Sequence, residues 1–547
     1  MKNKKFSLHL LGFAFLLFFG MATTLKTDHG KFFEISKNIE IFTNLYKEIN
    51  TSYVDDLDPG QLMRTGIDAM LESLDPYTNY ISESEIEGYR YMTEGKYNGI
   101  GAIFNMIDGY VTVTQLYADS PAAKANLKPG DRILSVDGKS AAGKNEEEVR
   151  EILKGYPGTE VLLTVERPGT AKGVKINLMR QEVSVANVPY FGMVGDNIGY
   201  AALTTFTREA GKNVADALKA LQAENPDLQG FVFDLRGNGG GLLTEAVNVS
   251  NVFIPKGELV VTTKGKVKDW DRSFKTLNKP TDEQIPVVVL IDKNSASASE
   301  IVSGVLQDYD RAVLLGQGSY GKGLVQNTRD IGYNSKVKMT TAKYYIPSGR
   351  CIQSVEYENG EPVDIADEKR AKFTTRGGRT VLDGGGVRPD VVVDKDGNSE
   401  ILTTLRDKYI VFKYVTEFTA GKDTTNIAED FRFTAWDDFV RYLEKTKFDY
   451  DTQSEKLLTD LKARAEKDGY LSASDISALE QKIIEAKKSD LEKHKGEIID
   501  MIEKEVVGRF YYQRGQIKIS LRNDEEIDQA KQIINDQSRY KKILSKN

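Results

Sequence analysis

Histidine is almost absent from this chain of 547 residues, which contains only three. His9 lies in an apolar run near the start, His29 follows that run, and His494 lies in a charged stretch near the end. Because none occurs between residues 30 and 493, a serine–histidine–aspartate triad and a histidine-based zinc site are both disfavoured in the central part of the chain. Metal sites built from carboxylates alone remain open.

Cysteine and clustered positive charge are also scarce. The single cysteine, Cys351, excludes an internal disulfide, and we interpret it as a small buried hydrophobic residue. With no histidine near it in sequence, a cysteine–histidine peptidase is disfavoured. The formal net charge is −7 and no long basic patch occurs, so nucleic acid is not an expected partner.

The N-terminus carries a targeting pattern. Lys2, Lys4 and Lys5 precede an apolar run over residues 6–22, and Gly20-Met21-Ala22 is a candidate cleavage site. The run is short for a membrane-spanning helix, so a cleaved signal peptide and a retained membrane anchor both remain open for residues 1–25. In either case we expect export, to the periplasm or to the outer face of the inner membrane.

A row of small hydroxyl residues stands out in the middle of the chain. Residues 294–300, Asn-Ser-Ala-Ser-Ala-Ser-Glu, follow an apolar run predicted to be a buried strand (Val287–Ile291) and precede a predicted helix. A helix N-terminus directs unpaired backbone N–H groups outward, which suits a nucleophile with an oxyanion site. A serine nucleophile needs a base, and lysine is the documented alternative to histidine. Lys322, flanked by glycines and followed by apolar residues, is the candidate; a surface lysine in a glycine turn is the alternative.

Two glycine patterns around this lysine resemble nucleotide-binding motifs. Residues 316–321 satisfy G-x-G-x-x-G, and residues 316–322 nearly satisfy a phosphate-binding loop. However, Gly323 stands where that loop needs serine or threonine, and residues 324–328 favour a strand over a helix. We therefore expect no nucleotide, and a serine–lysine pair needs no metal or other cofactor.

The segments Ser295–Ile301 and Gly318–Gln326 resemble the carboxyl-terminal processing peptidases, also called tail-specific proteases. In that family the middle serine of the S-A-S-A-S run is the nucleophile, the lysine of the G-K-G turn is the base, and a glutamine four residues later holds the lysine. The resemblance implies these roles for Ser297, Lys322 and Gln326. The family spacing from serine to lysine is 25 residues, as it is here (322 − 297 = 25).

A glycine-rich turn extends this resemblance. Residues 234–242, in Asp-Leu-Arg-Gly-Asn-Gly-Gly-Gly-Leu, are similar to the D-L-R-x-N-x-G-G-L segment of the same peptidases. Family members use a glycine N–H here, together with the N–H after the serine, as the oxyanion hole. This implies Gly240, with Gly241 as the neighbouring candidate, and Ala298. A tight turn alone also explains so many glycines.

Residues 93–182 resemble a PDZ domain. Residues 98–104 look like its carboxylate-binding loop and first groove strand, and residues 120–138 match its long signature. A peptide C-terminus bound there pairs with the strand edge, while glycines let backbone N–H groups reach the carboxylate. The resemblance implies that the groove is formed by Gly99, Ile100, Gly101, Val149 and Leu153. A spacer with a filled groove is the alternative.

The sequence thus predicts a multidomain α+β protein. A helical region (31–92) precedes the PDZ domain (93–182), an α/β serine-peptidase core (183–405) and a mainly helical C-terminal extension (406–547) with a short β-like piece at residues 515–521. The apolar stripe in the N-terminal helices predicts core packing or self-association. The extension is a candidate for dimerisation, adaptor docking or regulation.

We therefore expect an exported serine endopeptidase with a Ser–Lys dyad, acting on proteins or peptides that a PDZ domain recognises by their free C-termini. A homodimer or an adaptor would involve the helical regions, and the N-terminal segment would account for any membrane association. The alternative is a catalytically silent PDZ scaffold that binds exported proteins.

Overall fold

The computed structural model describes residues 28–153, 155–170, 173–353, 355–358, 361–364, 367–393, 399–421, 427–468 and 473–545. The targeting segment expected at residues 1–25 lies outside these. The chain divides into two compact units, Met1–Tyr80 and Ile81–Asn547. Among the helices of the described residues, none combines the length and apolar character needed to cross a membrane.

The helices in chain order are α1 (Asp28–Ser52), α2 (Pro59–Glu72), α3 (Ile86–Glu94), α4 (Pro121–Lys124), α5 (Glu146–Leu153), α6 (Ala210–Glu224), α7 (Leu243–Phe253), α8 (Ala298–Asp308), α9 (Glu400–Asp407), α10 (Ile410–Thr419), α11 (Trp436–Lys445), α12 (Gln453–Asp468), α13 (Ala473–Lys488), α14 (Asp490–Lys493), α15 (Lys495–Ser520), α16 (Glu525–Asn535) and α17 (Gln537–Leu544).

The strands in chain order are β1 (Asn79–Ile81), β2 (Lys96–Gly99), β3 (Ala102–Ile107), β4 (Tyr110–Leu116), β5 (Arg132–Val136), β6 (Lys139–Ser140), β7 (Glu160–Glu166), β8 (Val174–Met179), β9 (Gln181–Ser184), β10 (Tyr190–Met193), β11 (Ile198–Ala202), β12 (Gly230–Asp234), β13 (Leu259–Gly265), β14 (Arg272–Lys275), β15 (Val287–Ile291), β16 (Val313–Gly316), β17 (Leu324–Gly332), β18 (Ser335–Tyr345), β19 (Val355–Glu358), β20 (Glu361–Asp364), β21 (Lys372–Thr374), β22 (Thr380–Leu382) and β23 (Val391–Val392).

The first unit contains the helices α1 and α2. Asp58 caps α2, because its carboxylate accepts the Gln61 N–H at 3.0 Å, and Pro59 fits the first turn, where no amide hydrogen is required. The apolar stripe of α1 is largely exposed in this chain, with Phe32 at 68% and Ile39 at 61% of their full accessibility. Within the described residues, this stripe is therefore not packed into a core.

The second unit begins with α3 and a small β-rich module. Its antiparallel sheet has the order β3-β4-β5-β7-β8, with β6 beside β5. Alternate residues of β7 (Val161, Leu163 and Val165) are buried, as expected for a sheet with one solvated face. Strands β2 and β9 pair antiparallel, so the chain enters and leaves the module side by side.

The central layer is a six-stranded sheet of order β10-β11-β12-β15-β16-β23, parallel except for β10. Strands β12 and β15 are buried throughout, as continuous apolar runs predict for a sheet covered on both faces. Helices α6, α7 and α8 pack on one face, and α16 and α17 pack on the other. A second, antiparallel sheet contains β17, β18, β13 and β14 in that order.

The β-like piece predicted at residues 515–521 is wrong, because these residues belong mainly to α15. Gly515 and Ile519, four residues apart, are both buried against neighbouring elements, and this spacing matches the period of a helix. Packing of the helical face therefore determines the structure here, and the local alternation of polar and apolar residues does not. The helix is interrupted at Tyr512, whose φ of 54° and ψ of −153° redirect the chain, and the Tyr512 side chain packs against the core of the β-rich module.

Candidate active site

Ser297 lies at a sharp turn between β15 and α8. It immediately precedes the first helical residue, Ala298, and its backbone has φ 56° and ψ −111°. L-residues rarely adopt this conformation, which costs about 1–3 kcal/mol and persists only where the surroundings impose it. Such strain is typical of functional sites, and the Ser297 side chain is only partly buried.

The two neighbouring serines are fully buried and form structural hydrogen bonds. The Ser295 hydroxyl donates to the Leu235 carbonyl at 2.9 Å, and the Ser299 hydroxyl donates to the Asn238 carbonyl at 2.8 Å. Both bonds connect the serine turn to the glycine-rich turn after β12. Of the three serines, Ser297 is the one with an accessible side chain.

Glu300, in the first turn of α8, is fully buried and connects the serine turn to the lysine turn. Its Oε2 accepts the backbone N–H of Ser297 at 2.7 Å and that of Lys322 at 2.9 Å. Its Oε1 accepts the Ser319 hydroxyl and the Gly321 N–H, both at 2.6 Å. Burial raises the pKa of Glu300, and these four hydrogen bonds oppose that rise. One side chain therefore fixes the backbone of both candidate catalytic residues.

Tyr344, in β18, provides a second bridge between the same two residues. Its hydroxyl oxygen lies 2.6 Å from the Lys322 carbonyl oxygen and 3.1 Å from that of Ser297. Burial raises the pKa of Tyr344 well above its ordinary value, so the phenol keeps its proton. A phenol has a single proton, which the two carbonyls share or exchange.

The lysine turn is held almost entirely by side chains from elsewhere in the fold. After the two N–H groups bound by Glu300, the Gly323 N–H donates to Gln353 Oε1 at 2.7 Å. A Cβ atom on Gly323 would lie 2.7 Å from the Gln353 backbone nitrogen, so glycine is required there. The Lys322 side chain is partly buried. Gln326, the residue expected to hold it, donates from its amide to the Thr340 hydroxyl at 3.3 Å, across the β17–β18 hairpin.

The structure places Gly240 next to Ser297 and Ala298. A Cβ atom on Gly240, whose φ is 99°, would lie 2.9 Å from both the Ala298 nitrogen and the Ser297 Cβ, so only glycine allows this approach. The Ala298 N–H is the first of α8 and therefore has no acceptor within the helix. The Gly240 N–H donates to Asn238 Oδ1 at 2.8 Å.

Asn238 and Asp292 connect the two turns, and neither was assigned a role from the sequence. The fully buried Asn238 donates its amide to the Leu203 carbonyl at 2.7 Å, and its own carbonyl accepts the Ala296 N–H at 3.0 Å. Asp292 Oδ1 accepts the Gly237 N–H at 2.9 Å. Asn238 is the asparagine of the D-L-R-x-N-x-G-G-L segment, and Ser297 with Glu300 forms the S-x-x-E pattern of a helix capping box, so both residues had a signal in the sequence; Tyr344 had none of comparable specificity.

Charged side chains at and beyond the C-terminal end of α8 are organised as ion pairs. Asp308, at the end of α8, pairs with Arg350 at 2.9 Å, and Arg379 pairs with Asp310 and Asp390, each at 2.6 Å. Within the part of the chain that the structure describes, no group of three or more His, Cys, Asp or Glu side chains is placed to hold a metal ion.

The β-rich module contains a groove of about 340 Å³ beside its glycine loop. Gly99, Ile100, Gly101 and Leu153, four residues expected there, line it. The fifth, Val149, is fully buried in the core of the module, and Arg150 of the same helix lines the groove instead. The loop requires glycine at position 101, because φ is 81° and a Cβ atom would lie 2.2 Å from the Ser120 Cβ.

Three tyrosines and a helix from outside the module complete the groove. Tyr97 makes edge-on ring contacts with Tyr91 at 5.9 Å and with Tyr117 at 6.3 Å between centroids, and all three line the groove. Tyr91 belongs to α3, whose Thr93 carbonyl accepts the Arg208 N–H of the core at 3.1 Å. One wall of the groove is therefore anchored to the α/β core.

Three family models match the chain. Peptidase family S41 matches residues 197–360, the PDZ domain matches residues 112–167, and a C-terminal helical domain described as that of a probable PDZ-protease matches residues 401–534. The matches cover the four inner strands of the central sheet (β11, β12, β15 and β16) with the serine turn and the lysine turn, most of the β-rich module, and most of the C-terminal helices.

Curated relatives match over most of the same region. The carboxy-terminal-processing protease of Bartonella bacilliformis is 37% identical over 337 residues, which are 61% of this chain and 76% of the relative. A probable CtpA-like serine protease of Staphylococcus aureus is 36% identical over 318 residues, 58% of this chain and 62% of that protein.

Among solved structures, the chain is similar to a photosystem II D1 C-terminal processing protease, with 25% sequence identity and a TM-score of 0.35. The match covers 64% of this chain and 92% of that protein. The PDZ domain of the Vibrio cholerae carboxy-terminal protease, crystallised with a peptide, is 31% identical, with a TM-score of 0.16, over 16% of this chain and 99% of that domain. The sequence matches place this chain, with its PDZ domain, α/β core and C-terminal helices, among the carboxy-terminal-processing serine proteases of peptidase family S41.

Proposed function

We propose that Ser297 and Lys322 are the nucleophile and the base of an endopeptidase. The observation that carries this proposal is their shared support: the Glu300 carboxylate accepts both backbone N–H groups, and the Tyr344 hydroxyl contacts both carbonyls. The buried serines 295 and 299 are already committed to hydrogen bonds, which leaves Ser297 as the serine available for attack.

In the acylation step, the neutral Lys322 amine takes the proton of the Ser297 hydroxyl while Oγ forms a bond to the scissile carbonyl carbon. A lysine amine is unprotonated only when its surroundings disfavour the charge, as desolvation does. The resulting ammonium then gives its proton to the leaving amine, the C–N bond breaks, and an ester to Ser297 remains. Water, deprotonated by the same lysine, hydrolyses the ester.

The N–H groups of Ala298 and Gly240 would stabilise the oxyanion. Ala298 offers the first N–H of a helix, whose dipole also favours negative charge. The Gly240 N–H is bonded to Asn238 Oδ1, so it must share or exchange that acceptor when the oxyanion forms. Gln326, on the strand that follows the lysine, remains our candidate for orienting Lys322 once substrate is bound.

We further propose that the PDZ groove selects substrates by their C-termini. The loop at Gly99–Gly101 offers backbone N–H groups to a terminal carboxylate, and the tyrosine-lined groove favours a large apolar final side chain.

The N-terminal pattern supports export, with the catalytic domain outside the cytoplasm. An alkaline phosphatase fusion after residue 60 tests this: activity in intact cells is expected, and an inactive but stable fusion would contradict it.

Replacing Lys322 tests the dyad. Lys322→Arg and Lys322→Ala should each lower kcat/KM by at least about a thousandfold, because arginine stays protonated and alanine has no base. Cleavage of an unfolded protein substrate is measured beside circular dichroism and thermal unfolding. Lys343→Arg, an exposed lysine on β18, serves as the control and should leave activity unchanged. Substantial activity in folded Lys322→Arg would remove lysine from the mechanism.

A further inference from the structure

Behind the glycine-rich turn lies a buried ionic cluster that the proposed mechanism does not use. Arg236 directly precedes Gly237, the first residue of the turn. Its side chain is 16% exposed, and its guanidinium binds Asp234 through two groups, Nη2 to Oδ2 at 2.6 Å and Nε to Oδ1 at 3.0 Å. Asp234 Oδ2 also accepts the Tyr200 hydroxyl at 2.8 Å. The end of β12 is thus fixed on one side by its own strand and its neighbour β11.

The other side of the guanidinium is held by the C-terminal part of the chain. Arg236 Nη1 lies 2.7 Å from Asp524 Oδ2 and also binds Glu526 Oε2. These carboxylates are 12% and 1% exposed. Asp524 is the N-cap of α16, since its Oδ1 accepts the Glu526 N–H at 3.0 Å and the Ile527 N–H at 3.3 Å. Removing one member of a buried ion pair is costly, because the remaining charge is then buried without a partner.

Helix α16 is itself fixed to the underside of the central sheet. Ile533 and Ile534 are buried against it, and a Cβ atom on Gly230 would lie 2.3 Å from the Ile534 side chain. In α17, the Tyr540 hydroxyl accepts the Val287 N–H at 3.0 Å at the start of β15, the strand that leads to Ser297. The C-terminal helices are therefore a layer of the catalytic core.

A short series of hydrogen bonds connects the glycine-rich turn that follows Arg236 to the serine turn and to Ala298. Gly237 bonds Asp292 of the serine turn, and Asn238 holds Gly240 beside Ala298. A guanidinium held from both sides fixes the position from which this turn starts. Without the carboxylates of Asp524 and Glu526, the Arg236 guanidinium would retain its ion pair with Asp234 alone. The backbone of the turn would then be more mobile at its first residue, Gly237.

We propose that Asp524 and Glu526 are positioning residues for catalysis: through Arg236 they hold the glycine turn in the geometry that presents Gly240 to the oxyanion. This rests on the proposed oxyanion role of Gly240 and Ala298. The C-terminal extension then contributes to the rate of the chemical step, although its residues lie behind the turn.

The test is the double variant Asp524→Asn/Glu526→Gln in the full-length enzyme. Asparagine keeps an N-cap acceptor for α16, so the substitution removes charge while preserving the helix start. Glu525→Gln, an exposed neighbour in the same turn, is the matched control. We expect kcat to fall by about 10- to 100-fold, less than the 10²–10³ typical of an oxyanion donor removed outright. KM should stay within about twofold, and the control should match the wild type.

A peptide aldehyde separates positioning from general stability. The hemiacetal oxygen of the bound aldehyde occupies the oxyanion site, so the inhibition constant of the aldehyde should rise in the double variant in parallel with the loss of kcat. When Ser297→Ala is added to the double variant, the dissociation constant of a substrate peptide should match that of Ser297→Ala alone. An unchanged kcat would overturn the proposal, as would a loss of kcat with an unchanged aldehyde constant. If the double variant does not fold, Glu526→Gln alone, which leaves Asp524 on Arg236, is measured in the same way.

These outcomes are independent of the dyad. If folded Lys322→Arg retained activity, the proposed mechanism would fail whatever the double variant did. If Lys322→Arg is inactive and the double variant is unchanged, the dyad stands and only the positioning role falls.

Discussion

The three serines of the S-A-S-A-S run lie in different surroundings, and this difference predicts their roles. Ser297→Ala should abolish cleavage. Ser299→Ala should keep most of it while lowering the free energy of unfolding by about 1 kcal/mol, because the Asn238 carbonyl loses one donor but keeps the Ala296 N–H. Peptidase assays and denaturant titrations of both variants measure this. An inactive Ser299→Ala with an active Ser297→Ala would assign the nucleophile to Ser299.

Tyr344 allows a second test at the scale of one residue. Tyr344→Phe removes a single hydroxyl, and the carbonyls of Ser297 and Lys322 lose the donor between them. We expect kcat/KM to fall by about 10- to 100-fold, because small displacements of reacting groups are costly. The measurement is steady-state kinetics on a peptide too short to span the PDZ groove.

The matched control for this variant is Tyr345→Phe. Tyr345 is the next residue of β18, is only partly buried, and has Lys264 against its ring at 4.8 Å. This variant should behave like the wild type. Equal losses in both variants would mean that the strand, and not the bridging hydroxyl, determines activity.

At the scale of elements, the sequence predicts what local pattern determines. Strand β15 has the predicted bounds, because its continuous apolar run is visible in the residues themselves. The C-terminal β-like piece failed because its alternation was overruled by helix packing. The bonds from Glu300 to the lysine turn and from Tyr344 to Ser297 were missed because they join residues 22 and 47 positions apart, and the pattern of a single sequence does not indicate such pairs.

The PDZ groove predicts a preference between matched substrates. A long substrate with a free C-terminal carboxylate should be cleaved with a higher kcat/KM than its amide, by about tenfold or more, since the amide loses the charge that the loop N–H groups bind. Gly101→Ala should erase this difference, because its Cβ atom collides with Ser120.

Gly109→Ala is a closely matched control for the loop variant. Gly109 has a φ of 80°, against 81° for Gly101, but nothing lies within 4 Å of a Cβ atom there. It therefore introduces the same backbone strain away from the groove and should preserve the preference. Equal kcat/KM for acid and amide in the wild type would show that the groove does not select C-termini.

At the scale of the whole molecule, the PDZ domain is attached to the C-terminal helices as well as to the core. The buried guanidinium of Arg509 in α15 donates to the Phe412 carbonyl at 3.0 Å and to Glu505 at 3.0 Å, and it reaches the Pro129 carbonyl of the PDZ domain at 3.4 Å. Lys413 pairs with Asp108 of the PDZ domain at 2.8 Å. These contacts predict that the domains unfold together.

Arg509→Met tests this attachment. It should lower the free energy of unfolding by about 3–5 kcal/mol, because Glu505 loses its partner. Adding Glu505→Gln should recover part of that loss. Hydrogen exchange in the loop at residues 128–131 should accelerate in the single variant. An unchanged exchange rate there would mean that the helices do not stabilise the PDZ loop.

The backbone of Ser297 has a consequence for how such enzymes evolve. Its φ of 56° and ψ of −111° suit glycine far better than serine, so the proposed nucleophile is kept in place against the preference of its own residue type. A lineage that ceased to need cleavage would gain stability from a change to glycine at this one position. Selection for activity therefore acts here against selection for stability, and any loss of that selection should leave its first trace at residue 297.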